Sequence, residues 1–461
     1  MLFNNYFSTR KLIILGASLT LSISGFGQNN TSLSAGESAD TDTTAKPICK
    51  VEKLGYHFQT TVISQRHLDF SAPYSSTNSL QTSEKQRLSV TSTLYMGCRL
   101  WKNAEIYFNP ELSGGQGLSQ TRGIAGFTNG ETFRIGEAQP VVSLSRIFIR
   151  QHIPIGASTD VVEDGQNQLA GKLPTERVTI TFGKYSVTDI FDINSYSHDP
   201  RTQFMNWSLM SGGAWDYPAN TRGYTYGLTA ELIKKNWSIK GAVTMTPETA
   251  NGPYMDMNIG NAHSETLEFD KNVNINNKKG VVRLIGFYTQ GNMGNYADAI
   301  KNRIYSFDIV STRSYAHSKG GFVVNAEQEL GKYVGWFGRL SWNDGKNETW
   351  AFTEIDQSFH TGLHVDGAIL KLKQSSAGVA VVVNGLSDDH KKYLQSGGYG
   401  FMLGDGKLNY GYECIGELYV NYLFRAGFWI SGDYQAVLNP GYNQDRGPLV
   451  HVFALRGHLE I

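Results

Sequence analysis

The sequence predicts an all-β protein: a transmembrane antiparallel β-barrel of the outer-membrane type, with short helices in long loops folding into or over the lumen. Three observations predict this class. The last residues alternate between apolar and charged, the first residues resemble a secretory signal, and no apolar stretch after that signal reaches the roughly 18 residues that a spanning helix needs.

The final residues of the chain alternate with a period of two, which is typical of a strand with one buried face. The apolar face holds Leu449, Phe453, Leu455, Leu459 and Ile461, and the other face holds Arg456, His458 and Glu460. A barrel abolishes its edges by pairing its last strand with its first. We therefore expect residues 449–461 to close the sheet, although the closing strand of a soluble sandwich would look similar.

The N-terminus has the order of a signal peptide. Arg10 and Lys11 precede an apolar run over residues 12–21, and small residues follow through Gly27. We expect residues 1–27 to be a signal peptide. Residues 28–50 are polar and rich in Ser and Thr, which indicates a flexible leader, so the barrel domain is expected over residues 51–461.

Composition narrows the function classes. The chain has 41 basic and 41 acidic residues and a formal net charge of zero, which argues against nucleic acid as a partner. Its 50 Gly, 24 Tyr, 23 Phe and 8 Trp suit short strands, tight turns and aromatic girdles. Cys49, Cys98 and Cys414 are widely spaced and form no CxxC pair, so neither a metal site nor a redox motif is expected. No cofactor is predicted.

Strand pairs follow from alternating segments joined by short turns. Four hairpins are predicted, over residues 87–100 with 104–114, 224–233 with 237–245, 320–330 with 334–343, and 415–424 with 427–437. Further strands are predicted over residues 145–153, 177–183, 280–289, 360–370 and 377–384. Short turns alternate with long Gly-rich connections, as expected of a barrel with short periplasmic turns and long external loops.

Two segments break the strand pattern. Asp199 can cap a helix that begins at Pro200 and ends before Gly212. Residues 387–389 can start a shorter helix that ends before Gly397. Helices this short would line or plug the lumen, or they would lie in ordinary surface loops.

The phase of the strands separates two faces. Trp237, Trp336, Trp342 and Phe428 fall on one face, and we expect them to point towards lipid. The opposite face must meet water inside the barrel, because a Lys or Arg at the bilayer midplane costs on the order of 2–4 kcal/mol. Its charged residues are Arg146, Arg150, Lys240, Arg283, Arg339 and Arg456, with Glu105, Glu111, Glu417, Asp433 and Glu460, and its aromatics include Tyr107, Phe337 and Tyr419.

A wall with both charge signs and aromatic rings suits a neutral, hydroxyl-rich solute. Charged groups form strong hydrogen bonds with hydroxyls, and aromatic faces stack on the C–H surfaces of sugars. The alternative is that these charges only neutralise one another and solvate the lumen.

Several segments, in consistent order from about residue 50 to 461, resemble the carbohydrate-selective porins of the OprB family. Residues 183–192, G-K-Y-S-V-T-D-I-F-D, look like that family's G-K-x-S-x-x-D-x-F-D segment, and the resemblance is specific as a set of segments. The other matching segments are residues 108–111, 146–151, 198–207, 215–217, 221–224, 293–296, 384–390, 404–406, 434–435 and 439–448. One departure is the last residue, Ile461, where family members usually have an aromatic residue.

The resemblance implies an outer-membrane porin of a Gram-negative bacterium, with a barrel of about 16 strands, 18 being possible. Neutral mono- or oligosaccharides would diffuse passively through it. Partners would then be permeating sugars and outer-membrane lipid, in a monomer or a trimer. The pore-lining residues expected are Arg146, Arg150, Glu105, Glu111, Tyr107, Lys240, Arg339 and Asp433, the first four being the main candidates for the constriction. Alternatives are a structural or adhesive barrel that transports nothing, and a barrel-borne hydrolase. No GxSxG, HExxH or phosphate-loop motif supports an enzyme.

Overall fold

A computed structural model describes residues 51–131, 138–302, 307–447 and 449–461 of the chain. The predicted signal peptide (1–27), the predicted leader (28–50) and Cys49 lie outside the described residues. Cys98 and Cys414 are free thiols. Among the described residues, no helix is long and apolar enough to cross a membrane.

Sixteen antiparallel strands form one closed barrel, as the sequence predicts. The strands of the chain are β1 (Leu54–His67), β2 (Arg87–Trp101), β3 (Ala104–Gly115), β4 (Val141–Pro154), β5 (Thr159–Val162), β6 (Gly171–Pro174), β7 (Arg177–Tyr185), β8 (Thr225–Ile233), β9 (Trp237–Met245), β10 (His263–Ile275), β11 (Lys278–Gln290), β12 (Ser318–Glu329), β13 (Val334–Asn343), β14 (Gln357–Asp366), β15 (Ser376–Gly385), β16 (Glu413–Arg425), β17 (Phe428–Leu438) and β18 (Val450–Glu460). All belong to the barrel except β5 and β6, which pair with each other.

The barrel closes where β1 pairs with β18. Thr61 lies opposite His458, and Gln59 lies opposite Glu460. The backbone N–H of Phe58 donates to the carbonyl of Ile461 at 2.8 Å, and that of Ile461 donates back at 2.9 Å. The prediction that the final strand closes the sheet is therefore confirmed.

The four predicted hairpins are confirmed by the observed pairings of β2 with β3, β8 with β9, β12 with β13 and β16 with β17. The predicted strand over residues 360–370 extends too far. The strand β14 ends at Asp366, and a 3-10 turn follows at Gly367–Leu370. The side chain of Asp366 accepts from the N–H of Ala368 at 2.8 Å and so caps that turn.

The predicted faces are also observed. Arg339 and Lys240 face the inside of the barrel and are 2% and 8% exposed, whereas Trp342 lies on the outer surface and is 45% exposed. Trp237, Trp336 and Phe428 alternate with inward residues on their strands. One residue of slip would have exchanged the two faces of each strand, so the register predicted from the sequence is correct.

The two ends of the barrel differ, since some turns are as short as residues 102–103 and 426–427 while loops at the other end extend over residues 186–224 and 386–412. Three α-helices occur among the described residues: α1 (Trp207–Met210), α2 (Tyr296–Lys301) and α3 (Asp388–Gln395). The helix predicted after residues 387–389 is α3, capped by the Ser387 side chain.

The helix predicted from Pro200 is wrong. Residues 199–203 form one turn, closed by the N–H of Gln203 on the carbonyl of Asp199 at 2.9 Å, and regular helix occurs only in α1. A longer helix would need the next N–H groups for its own carbonyls. Instead, Asn206 donates its N–H to Glu417 at 2.9 Å, and Trp207 donates to the carbonyl of Phe127 at 2.8 Å. Contacts with the wall and with the connection between β3 and β4 therefore replace the helix.

Candidate functional site

The connection between β7 and β8, residues 186–224, crosses the inside of the barrel and is called the inner segment here. It starts with a 3-10 turn at Val187–Asp189, in which Ser186 and Asp189 form a reciprocal capping box. Its most deeply buried link to the wall joins Asp192 to Arg339 at 2.9 Å, with both side chains at most 1% exposed. Arg339 also donates to the carbonyls of Ser197 at 2.9 Å and Leu209 at 3.1 Å. The inner segment is thus held by a fully engaged guanidinium.

The strands β16 and β18 hold the inner segment through a second set of bonds. Glu417 accepts the backbone N–H groups of Met205 and Asn206. Arg456 donates to the carbonyl of Gln203 at 3.0 Å and also binds that of Pro200. These contacts pair charged wall groups with backbone groups that would otherwise be unsatisfied inside the barrel.

Lys240, Arg339 and Asp433 all face the interior, but each of them is bonded to other groups of the protein. Lys240 binds Glu268 at 2.6 Å and the carbonyl of Ile190, in the inner segment, at 2.9 Å. Asp433 accepts from Gln435 at 3.1 Å on the wall beside Glu417. None of the three borders the open cavity described next. We interpret Lys240 and Arg339 as supports of the inner segment, and Asp433 as part of the wall beside it.

The interior contains a cavity of about 440 Å³, within the 300–1,000 Å³ usual for small-molecule sites. It is bounded by β4 and β7, by the inner segment and by the tip of the connection between β4 and β7. Charged and aromatic groups alternate around it. The residues that define its chemistry are Glu131, Arg146, Phe148, Arg150, Asn167, Gln168, Asp189, His198, Asp199, Arg201, Trp207, Tyr217, Arg222 and Tyr224.

Arg146 on β4 joins the wall to the inner segment at the border of the cavity. Its Nε and Nη2 donate to the two carboxylate oxygens of Asp189 at 2.7 and 2.6 Å. Its guanidinium lies 5.1 Å from the ring centre of Tyr224. Burial works to raise the pKa of Asp189, but the charge and hydrogen bonds of Arg146 outweigh it and lower that pKa. Asp189 therefore stays ionised, and the pair presents both signs to the cavity.

Arg150 is held by a backbone carbonyl and two aromatic rings. Its Nη1 donates to the carbonyl of Asn167 at 3.2 Å, and its guanidinium lies 5.1 Å and 5.5 Å from the ring centres of Phe148 and Tyr107. Tyr107 in turn donates its hydroxyl to Glu105 at 2.6 Å, and Glu105 pairs with Arg99 at 3.1 Å. The structure thus brings Arg150, Tyr107 and Glu105 together on one part of the wall.

Glu111 lies behind the same cavity. Its carboxylate accepts the hydroxyls of Tyr224 and Thr93, both at 2.9 Å. Of the sequence-predicted site residues, Arg146 and Arg150 border the cavity directly, while Glu105, Tyr107 and Glu111 contact its wall or its lining residues. Among the described residues, no group of three His, Cys, Asp or Glu side chains has the arrangement of a metal site.

Sequence reasoning missed several groups that line the cavity. Arg201 forms an ion pair with Glu131 at 3.2 Å. Burial lowers the pKa of His198, and the positive charge of Arg339 lowers it further. Arg201 and Arg222 lie in segments that matched the resemblance, which could have indicated them. Asn167 and Gln168 lie in a segment without strand pattern or family likeness, and no sequence signal pointed to them.

Comparison with known proteins gives a family and a fold. The model of the family described as "Carbohydrate-selective porin, OprB family" matches residues 77–460. A search of curated proteins finds no match. The high-pH structure of Pseudomonas putida OprB superposes with a TM-score of 0.66 at 16% identity, covering 89% of this chain and 94% of that one.

Two further solved structures are similar at lower scores. The low-pH structure of Pseudomonas putida OprB has a TM-score of 0.46 at 12% identity, covering 88% of this chain and 93% of that one. The structure of Pseudomonas aeruginosa OpdK with vanillate has a TM-score of 0.44 at 9% identity, covering 88% and 98%.

Proposed function

The chain belongs to the OprB family of carbohydrate-selective porins, and from that premise we propose that it lets neutral mono- or oligosaccharides diffuse passively through a water-filled pore. The family and the fold are those of a channel rather than of an enzyme. The proposal places the protein in the outer membrane of a Gram-negative bacterium, after removal of residues 1–27 as a signal peptide.

The observation that supports this solute class best is the chemistry of the 440 Å³ cavity. Arg146 and Asp189 present opposite charges side by side, and Tyr224 lies under the guanidinium. Such a surface can donate to and accept from sugar hydroxyls, while the ring offers a stacking face. Because a permeating sugar exchanges its hydrogen bonds with water for similar bonds with the wall, each contact yields only about 0.5–1.5 kcal/mol. Weak binding of this kind lets a solute both enter and leave.

Within this proposal, Arg146 and Arg150 are the solute-contacting residues of the constriction. Glu105, Glu111 and Tyr107 position the groups that face the solute: Tyr107 lies beside Arg150, and Glu111 holds Tyr224. Lys240, Arg339 and Asp433 act indirectly, by fixing the inner segment and the wall around it. This division follows from which side chains border the cavity.

The deciding experiment is liposome swelling with neutral sugars of increasing size, together with single-channel recording of the purified protein. We expect ion conductance, swelling that slows as the sugar grows, and no hydrolysis of the sugars. A purified barrel that neither conducts nor supports swelling would support a structural or adhesive role instead. Turnover of a glycoside would support the hydrolase alternative.

Location is tested separately by membrane fractionation and N-terminal mass analysis. We expect a heat-modifiable protein in the outer-membrane fraction whose first residue is Gln28. Recovery from the soluble periplasm with Met1 still present would contradict the proposal.

A further inference from the structure

The connection between β4 and β7, residues 155–176, is unusual for its end of the barrel. Other connections there are as short as residues 102–103 and 426–427. This one contains the small hairpin of β5 and β6, paired from Thr159 with Pro174 to Val162 with Gly171. Residues 163–170, called the hairpin tip here, reach inside the barrel, where Gln166, Asn167 and Gln168 border the cavity.

The hairpin tip is seated against β1 and β2. Leu169 is 2% exposed, and it occupies space that only glycine leaves free: a Cβ on Gly55 would lie 2.8 Å from its Cδ2 and one on Gly97 would lie 3.3 Å from it. The backbone of Ala170 exchanges bonds with Glu52, each of 3.0 Å. His57 and Asp164 approach to 2.9 Å. The hairpin tip is therefore packed and hydrogen-bonded against the inner wall of the barrel.

The polar groups of the tip are directed by bonds to the inner wall. Asn167 takes a left-handed backbone conformation, with φ of 55°. Its Oδ1 accepts from Asn109 at 2.8 Å, and its carbonyl accepts from Arg150 at 3.2 Å. Gln166 donates to Glu460 at 3.1 Å. The Nε2 of Gln168 donates to the carbonyl of Glu163 at 2.8 Å, within the tip itself. Asn167 is thereby held beside Arg150, with Gln166 and Gln168 next to it on the cavity border.

We propose that the hairpin tip is a second selective contact on the sugar path, in which the carboxamides of Asn167 and Gln168 bind sugar hydroxyls between Arg150 and the short-turn opening. This inference rests on the proposed function. A carboxamide offers both donors and an acceptor, as a hydroxyl does, but carries no charge. The tip therefore favours hydroxyl-rich solutes without setting the ion preference of the pore, which the arginines determine.

The test compares the full-length protein with the Asn167→Gly/Gln168→Ala double variant in planar bilayers. Glycine keeps the left-handed backbone at position 167. The readouts are the maltotriose concentration that half-blocks the ion current, and the K⁺/Cl⁻ permeability ratio. We expect the half-blocking concentration to rise about 2- to 10-fold, which corresponds to the loss of one net hydrogen bond, while the permeability ratio stays unchanged. Val161→Ala is the matched control, because Val161 is 66% exposed on an arm of the same hairpin.

Two results would overturn the inference. One is a half-blocking concentration equal to that of the parent, and the other is a change in ion preference accompanying the weaker block, which would mean that the tip acts only by placing Arg150. If the double variant fails to form a heat-modifiable barrel, Gln168→Ala alone provides the same comparison. A parent protein that conducts ions but shows neither block nor permeation by sugars would instead defeat the proposed function.

Discussion

Arg146 on β4 and Asp189 in the inner segment form a two-bond ion pair, at 2.7 and 2.6 Å, on the border of the lumen cavity. The wall and the inner segment are therefore joined at the border of this cavity. Removing either charge changes both the electrostatics of the cavity and the support of the turn at Val187–Asp189.

Replacing Arg146 or Arg150 by Ala should shift ion preference towards cations, since positive wall charge is lost. We expect the larger shift for Arg146→Ala, because it leaves the Asp189 carboxylate facing the cavity without its partner. Sugar permeation should change by modest factors and the barrel should remain folded. Reversal potentials in a KCl gradient measure the effect. Lys271→Ala, an exposed lysine on β10, is the control and should match the parent. A double variant that behaves like the parent would show that these arginines do not line the constriction.

Replacing Arg339 by Ala should loosen the inner segment. The buried Asp192 carboxylate would lose its charged partner, and breaking a buried pair in this way typically costs about 3–5 kcal/mol. Limited proteolysis within residues 186–224 and a larger, noisier single-channel current should report the change. Arg339→Lys keeps the charge but cannot bind the Asp192 carboxylate and the carbonyls of Ser197 and Leu209 together as the guanidinium does, so an intermediate result is expected. Unchanged proteolysis and conductance in Arg339→Ala would contradict the anchoring role.

The loop between β13 and β14 should become less stable as pH rises. Burial raises the pKa of Glu354 to about 8, with Glu348 and Asp356 adding repulsion, although the N–H groups of Met402 and Leu403 bind its carboxylate. The pKa of Glu354 is thus higher in the folded state, about 8, than the usual value of 4.5 in the unfolded chain. The protonated carboxyl therefore contributes its full stabilisation below about pH 4.5, and this stabilisation falls as the pH rises towards 8.

Hydrogen exchange of the Met402 and Leu403 amides measures this opening. After correction for intrinsic exchange, protection should decrease between pH 5 and pH 8 in the parent and stay nearly constant in Glu354→Gln. Equal pH profiles for the two proteins would exclude Glu354 as the titrating group.

Deleting residues 450–461 should abolish barrel closure. Without β18, both β1 and β17 would present unpaired edges, which cannot be satisfied in lipid. Gel electrophoresis with and without boiling should show no heat-modifiable band for the deletion. Ile461→Phe is the matched control: Ile461 pairs with Phe58 through backbone atoms alone, so this variant should close normally. A heat-modifiable deletion variant would mean that another strand pair can close the barrel.

The sequence by itself determined the barrel, most of its strands, the register of those strands and which residues face inward. A wall between lipid and water imposes a period of two on every strand, and that period is a local signal. Lys240 and Arg339 could therefore be assigned to the interior from their own neighbours. The strand β10 was missed because its lipid-side positions include Glu265 and Lys271 as well as Leu267 and Phe269, which weakens the alternation.

Only the tertiary structure decided which inward residues border open space. Arg339 and Arg146 both occupy inward positions of a strand, and the sequence does not distinguish them. In the structure, the guanidinium of Arg339 is fully engaged by Asp192 and two carbonyls of the inner segment, whereas Arg146 borders the cavity. The helix expected from Pro200 does not form because Glu417 binds the backbone N–H of Asn206. No sequence pattern indicated that the hairpin tip at Asn167 borders the cavity. These outcomes depend on contacts between residues far apart in the chain, and no periodicity within a single segment records such contacts.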